Sequence, residues 1–392
     1  MTPSTRTLRW LLLLGALSLG GCVEDEAASV TGPELGIVAA HAGPPARMSF
    51  YTQNMFLGGD TGPLFTLDFA DIPAVIAATA DFYAEVLASE IPARVASFAD
   101  ELQRKKPRVV ALQEAVGYAT GTLNPATFEF TPTAPGPDLL GSLLAEIDAR
   151  GLPYRVAVLQ PTSAIALPMG APTAQGLPAL GVQDRLVLLV RDDVDVESTD
   201  QGLFTVNVVL GPVDLARGWV SATIREGTTT YHVVATHLET QGTPAPGDPL
   251  RAVHNAQAAE LRGVMDALEG DAVLLGDLNS DALADPSENS WTPTYRSLLD
   301  AGFIDVWAEA PHRRRDRGGT CCLLPGRELD ERIDFVLYRP GASADREHPG
   351  RRRGFFRAKV VGTDPVAQDI WASDRAGLMA TIRRPRVKRP RR

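Results

Sequence analysis

Short apolar runs that stop abruptly at polar residues alternate with stretches of helical periodicity along this chain. Residues 47–54 alternate loosely between polar and apolar and read as a first strand that delivers Asn54 to the loop at 55–60. At 72–87 and 91–102 apolar residues recur with helical spacing, and Pro73 and Pro92 stand in first-turn positions, so two helices are expected to cover a sheet. The run at 109–112 is a short buried strand leading straight into Gln113 and Glu114. The proline-bearing stretch 117–137 is expected as a loop, and 139–147 as a helix on the same outer layer. Strands are expected at 154–159 and 186–190, around an Ala-, Pro- and Gly-rich surface excursion near the rim of a site; Asp184 and Arg185 lie just before the second. Further strands are expected at 204–209, 219–224 and 231–235, the last leading into Thr236-His237-Leu238-Glu239. The rest reads as a helix at 250–268, a strand at 272–275, a loop at 286–291, a short helix at 295–299, an extended piece at 303–307 and strands at 332–337 and 379–382.

The chain is organised around residues 271–280. Its apolar run, Ala272 to Leu275, is too short for a helix and ends at Gly276, which fits a strand buried on both faces. Asp277 and Asn279 then sit two apart, so on extended backbone both side chains leave on one side, just past the strand's C-terminal end. A carboxylate beside a neutral amide suits the holding of a metal or a water and the steadying of an oxyanion. Taken alone, Gly, Asp, Asn and Ser suit an ordinary Asx turn better. The other motifs reverse that balance.

Composition bounds the rest. With 392 residues, 44% hydrophobic and 22% charged, the chain can bury a large core. A formal charge of -10 argues against a broad basic surface for nucleic acid, though not against an enzyme that meets phosphates through metal ions. Arg6 and Arg9 precede an apolar run at 10–19 with the layout of a secretory signal, and Leu19-Gly20-Gly21-Cys22 resembles the lipobox of bacterial lipoproteins. The resemblance implies a signal peptide at 1–21, lipidation of Cys22 and export to the cell envelope. Residues 22–46 read as a flexible tether, 47–382 as one domain and 383–392 as a basic, proline-broken tail. Cys321 and Cys322 are adjacent and read either as a vicinal disulfide or as two free thiols.

Taken together, Asn54, Gln113-Glu114, Thr236-His237-Leu238-Glu239, Gly276-Asp277-Leu278-Asn279, Arg332-Ile333-Asp334 and Ser373-Asp374 occur in the order and rough spacing of the endonuclease/exonuclease/phosphatase superfamily. That superfamily includes DNase I-like nucleases, abasic-site endonucleases, inositol polyphosphate 5-phosphatases and bacterial sphingomyelinases, and the resemblance covers about 48–382. It implies an α/β fold, a four-layered sandwich of two mixed β-sheets flanked by helices. It implies metal-dependent hydrolysis of phosphate esters, with Mg²⁺, or Mn²⁺ or Ca²⁺, held by Glu114, Asn54 and Asp374. By the same resemblance His237 would donate to a phosphate oxygen or assist the leaving group, Asp277 would align the attacking water, and Asn279 would stabilise the transition state.

One position departs from the family pattern. Ser-Asp is followed there by a histidine that activates water, oriented by the aspartate of the Arg-Ile-Asp strand; here the positions are Arg375 and Asp334. An arginine accepts no proton at neutral pH, so Arg375 is expected within salt-bridge reach of Asp334 or Asp374, close to Asp277 and facing the cavity of the metal. His41, His254, His312 and His348 have no sequence-based claim to the vacancy, and Arg217 and Tyr295 suit site lining and packing about equally. The expected function is an envelope-tethered phosphodiesterase, nuclease or phosphatase, monomeric, acting on a lipid headgroup, a small ester or nucleic acid. The alternative is an inactive family member that serves as a phosphate- or lipid-binding module.

Overall fold

Period-two alternation within the buried strands builds the layers. Phe50, Val109, Ala111, Leu188, Val233, Val273, Leu275 and Val336 belong to one hydrophobic cluster, shared by strands of two sheets. Their chain neighbours point the other way. Tyr51, Val110, Leu112 and Leu189 join a second cluster with Val95, Phe98, Leu102 and Leu143, which lie on helices. Val234, Leu274, Phe335 and Leu337 join a third with helical Leu261, Met265 and Leu298. Consecutive side chains on a strand face opposite sides of its sheet, so both sheets are buried on both faces and four layers result.

The computed structural model describes residues 47–210, 213–227, 229–312, 316–341 and 355–383. The expected signal peptide, Cys22, the tether and the tail beyond Arg383 lie outside the described residues, as do His41 and His348. The first sheet runs in the order β15 (Phe356–Val361), β18 (Gly377–Arg383), β1 (Arg47–Asn54), β2 (Val109–Gln113), β6 (Leu177–Arg191), β3 (Gly117–Leu123) and β4 (Phe130–Asp138), with β5 (Tyr154–Pro168) also paired to β6. The second runs β13 (Ile304–Asp305), β14 (Asp334–Arg339), β12 (Asp271–Asp277), β11 (Thr229–His237), β10 (Gly218–Glu226) and β7 (Asp195–Leu203). Two hairpins stand apart, β8 (Val208–Leu210) with β9 (Val213–Leu215) and β16 (Pro365–Ala367) with β17 (Ile370–Trp371). Both large sheets are mixed: β1 is parallel to β2 and β11 to β12, while β12 and β14 are antiparallel.

The helices are α1 (Gly62–Phe65), α2 (Ile72–Ala88), α3 (Ile91–Lys105), α4 (Leu139–Ala149), α5 (Pro249–Asp266), α6 (Thr294–Asp300) and α7 (Val306–Glu309). Asp71, Asp138 and Asp248 cap α2, α4 and α5 by accepting a backbone N–H, and Pro73 and Pro92 occupy the first turns of α2 and α3.

The fold corrects several expectations. Residues 117–137 form strands β3 and β4 rather than a loop; β4 is an edge strand, where Pro132, Pro135 and Pro137 cost few ladder hydrogen bonds. The surface excursion after 159 is largely hairpin, since β5 continues to Pro168 and β6 begins at Leu177. Only part of 204–209 is strand, and the strand next to β10 is the preceding β7, which escaped notice because none of its residues is buried. At 303–307 a two-residue strand gives way to the short α7, whose first N–H groups are capped by Asp305.

Candidate functional site

The site is a consequence of register. His237, Asp277 and Asp334 are direct cross-strand neighbours at the ends of β11, β12 and β14, so three polar side chains line up across the second sheet. In the first sheet Asn54 stands opposite Gln113, one residue before Glu114. Gly276 sits inside β12 at φ +132°, where a Cβ would collide with the Thr236 carbonyl, so glycine is required for β11 and β12 to close up beside the site. Glu114 and Asn279 have positive φ of 52° and 43°. Both leave their strands through a conformation that costs free energy outside glycine, as is common at functional positions.

These ends converge. Asn54 Nδ2 donates to Glu114 Oε1 at 2.9 Å and to Asp277 Oδ2 at 3.2 Å, joining the two sheets, while its Oδ1 accepts the Phe56 N–H. Glu114 Oε2 accepts the Leu57 N–H at 2.8 Å. Asp277 Oδ1 accepts the Asn279 N–H at 2.9 Å, so the Asx turn is present and is also what places Asn279, whose Nδ2 donates to the Leu238 carbonyl. Arg375 reaches Asp374 Oδ2 at 2.6 Å and Asp277 Oδ2 at 3.5 Å. Of the two partners expected for Arg375, Asp374 and not Asp334 forms the ion pair, with Asp277 close by as expected. Asp334 lies in the strand row behind Asp277, and neither of its buried oxygens has a hydrogen-bond partner of good geometry among the described residues. The Cys321 and Cys322 sulfurs are bonded to each other, and Arg375 Nη1 also donates to Cys322 Sγ at 3.2 Å.

Two further arginines organise this cluster. Arg217 Nη1 donates to His237 Nδ1 at 2.9 Å, and its guanidinium is held by buried Glu239. Burial, with the charges of Arg217 and Arg375, pushes the His237 pKa well down, so the imidazole is neutral. With Nδ1 accepting from Arg217, the proton sits on Nε2, 3.8 Å from Asp277 Oδ2. Arg94 of α3, 1% exposed, donates to the Met55, Phe56 and Ala372 carbonyls at 2.6, 2.6 and 2.9 Å. It thereby ties the loop after Asn54 to the loop before Asp374, and Ser373 adds a bond to the Asn54 carbonyl at 2.7 Å.

Burial and neighbouring Asp374 push Glu114 up to about 7. Burial raises Asp374, Asp184 and Asp334 as well, the last with help from Asp277. A cavity of about 230 Å³ opens from these groups: Glu114, Asp184, Arg217, His237, Asn279, Asp374 and Arg375 form its polar end, and the remainder is mostly apolar, with Thr61, Ser163 and Thr240 among its lining.

The sequence profile of the endonuclease/exonuclease/phosphatase family matches residues 86–374. The chain belongs to that family. Similar solved structures include a family protein from Beutenbergia cavernae, 19% identical over 86% of this chain and 72% of that one, with a TM-score of 0.50. A family protein from Leptotrichia buccalis is 14% identical (86% and 99% covered, TM-score 0.48), and TDP2 from Caenorhabditis elegans is 16% identical (86% and 75% covered, TM-score 0.46). At these identities the likeness concerns the fold. No protein of curated function matches the sequence.

Against the family pattern, the structure draws together Asn54, Glu114, His237, Asp277, Asn279, Asp374 and Arg375, with Asp334 behind them. Among the described residues no other histidine takes the position next to Arg375. His254 is a satisfied core residue bonded to the Glu239 carbonyl and to Thr294, His232 contacts Thr223, and His312 stacks on Trp307. Tyr295 packs in the core against Phe335 and donates to Asp305. Arg217 and Asp184 line the site, and Arg94 supports it. Arg217 and Asp184 each stand beside a strand start in the sequence, a weak signal; Arg94 gives none, since an arginine in an amphipathic helix reads as a solvated face.

Proposed function

We propose that this protein hydrolyses phosphate esters with a divalent cation. The observation that supports the reading is the convergence, at one end of a cavity, of a neutral Nε2-protonated His237, the Asp277–Asn279 turn and the partly buried carboxylates Glu114 and Asp374. Among the described residues no group of three His, Cys, Asp or Glu is arranged to hold a metal. Mg²⁺ needs fewer protein ligands, keeping several waters and taking one or two carboxylates, so the all-oxygen pair Glu114 and Asp374 fits it. Asn54 presents its NH₂ to Glu114 and Asp277, and would have to turn its oxygen inward to join them. When bound, the cation supplies charge neutralisation and placement of the phosphate.

The chain's own groups account for the rest. His237 Nε2–H donates to a phosphate oxygen, and Asn279 offers its amide to charge that develops in the transition state. Asp277 Oδ2 faces Asn54, Arg375 and His237, which positions it to orient a water. The permanent cation of Arg375 occupies the wall where the family places its base, so turnover is expected to be slow. That same arginine favours a second reading, a binding module that grips phosphate without cleaving it. We also propose export and anchoring through Cys22, for which the lipobox-like sequence is the support; a Cys22→Ser chain would leave the membrane fraction.

The test is turnover by the purified protein of bis-p-nitrophenyl phosphate, sphingomyelin and plasmid DNA with Mg²⁺ or Mn²⁺, against EDTA and Glu114→Ala. Metal-dependent turnover lost in the variant supports hydrolysis. Phosphate binding by calorimetry without product in any assay supports the module.

A further inference from the structure

The cavity is two-sided. Beyond the polar end its walls are Leu64 of α1, Phe82 of α2, Ile165 and Leu167 of β5, Val182 of β6 and Leu215 of β9. Five elements from different parts of the chain thus place apolar side chains around one space, and that space is continuous with the groups expected to meet phosphate. The two arginines at its polar end are already engaged, Arg217 with Glu239 and Arg375 with Asp374. No lysine lines it. A polyanion needs a train of cations along its backbone, and this cavity offers none beyond the reacting centre.

We infer that the cavity holds the apolar alcohol portion of the substrate: the ester is an amphiphile, with one phosphate at the Arg217, His237 and Arg375 end and an alkyl or aryl group against Ile165, Leu167 and Val182. The inference rests on the hydrolytic reading of the polar end. Size sets the scale, because a dry apolar cavity of about 150 Å³ accepts benzene, and about 230 Å³ leaves room for a larger group. In hydrolysis water oxygen bonds to phosphorus, the P–O bond to the apolar alcohol breaks, and the departing oxygen takes up a proton. The products are a free apolar alcohol and a phosphate.

The experiment pairs binding with turnover. Methyl-, butyl-, hexyl- and octylphosphonate, and phenyl- and naphthylphosphonate, are titrated calorimetrically into the full-length protein with Mg²⁺; inorganic phosphate release is followed from the matching alkyl and aryl phosphates. Affinity is expected to rise by up to about fourfold per buried methylene until the cavity is full. Ile165→Glu, and the milder Ile165→Ala should the first misfold, is expected to flatten that rise. A steeper gain along the alkyl series assigns a lipid-derived alcohol, and a steeper gain along the aryl series an aromatic one. Affinity independent of the apolar group, or an unchanged rise in a folded Ile165→Glu protein, overturns the inference. A chain-length dependence of binding with no phosphate released would sink the hydrolytic reading and leave the cavity assignment standing; phosphate release insensitive to the apolar group would do the reverse.

Discussion

Among the described residues two arginine–aspartate pairs differ in how far the fold closes over them. Arg332 meets Asp305 at 2.5 Å, with side chains 6% and 2% exposed, and its guanidinium lies over the rings of Tyr295 and Phe335. Arg375 meets Asp374 at 2.6 Å, with side chains 15% and 23% exposed, and lines the cavity with Asp277 on its other side. The first pair is roofed by aromatic rings and anchors α7 through Asp305; the second is left open on one face. A charge closed over on every side can only hold the structure together, whereas one left open can meet a ligand.

The largest expected effect strikes the closed pair. Arg332→Ala leaves Asp305 buried without its cation and is expected to cost about 3–5 kcal/mol in urea unfolding; a loss under about 1 kcal/mol would erase the distinction between the pairs. Next, Asn279→Ala should lower kcat by about 10²–10³ by removing a donor to developing charge, with a modest fall in Tm from the lost bond to the buried Leu238 carbonyl. Arg375→His is expected to raise kcat at neutral pH by about 10², the lower range of general-base catalysis, and to add a titration near the ordinary histidine value of about 6.5. An unchanged rate and pH profile would move water activation to Asp277 and refute the view that Arg375 weakens the enzyme.

The smallest effect concerns pH and stability in EDTA. Folded Glu114 keeps its proton up to about 7, whereas an unfolded glutamate releases it near 4.5. The folded state therefore binds more protons in that window, and this group's contribution to stability is lost as pH rises through it. Glu114→Gln has no such proton, so its Tm should gain on the wild type between pH 5 and 7 and hold a constant lead above. Taking the difference removes His237 and His254, whose lowered pKa values act in the opposite sense.

How much could be read in advance follows the same division between closed and open. Buried strands such as β2, β12 and β14 announce themselves as short apolar runs, and the polar residues at their ends could be ordered along the chain. Edge strands β4 and β7 could not be read, one because prolines mask it and the other because it buries nothing. At Asp277–Asn279 an ordinary turn and a functional pair competed for the same residues; the turn is present, and it places Asn279 beside the cavity. Which aspartate, Asp334 or Asp374, would hold Arg375 no spacing could settle: Asp374 takes it, while cross-strand register sets Asp334 beside Asp277. The long-range partners Arg217–His237 and Arg94–Ala372 depend on tertiary approach alone.

Arg94 carries a mechanical consequence. Because one guanidinium bonds to carbonyls on both loops, the segments bearing Asn54 and Asp374 cannot swing independently. Opening either means breaking charge-assisted bonds in a space where water does not readily replace them, and the other loop is released with it. One arginine of α3 thus fixes both loops at the mouth of the site, so a transplant of the polar residues onto another sandwich would need a helix presenting an arginine at that height.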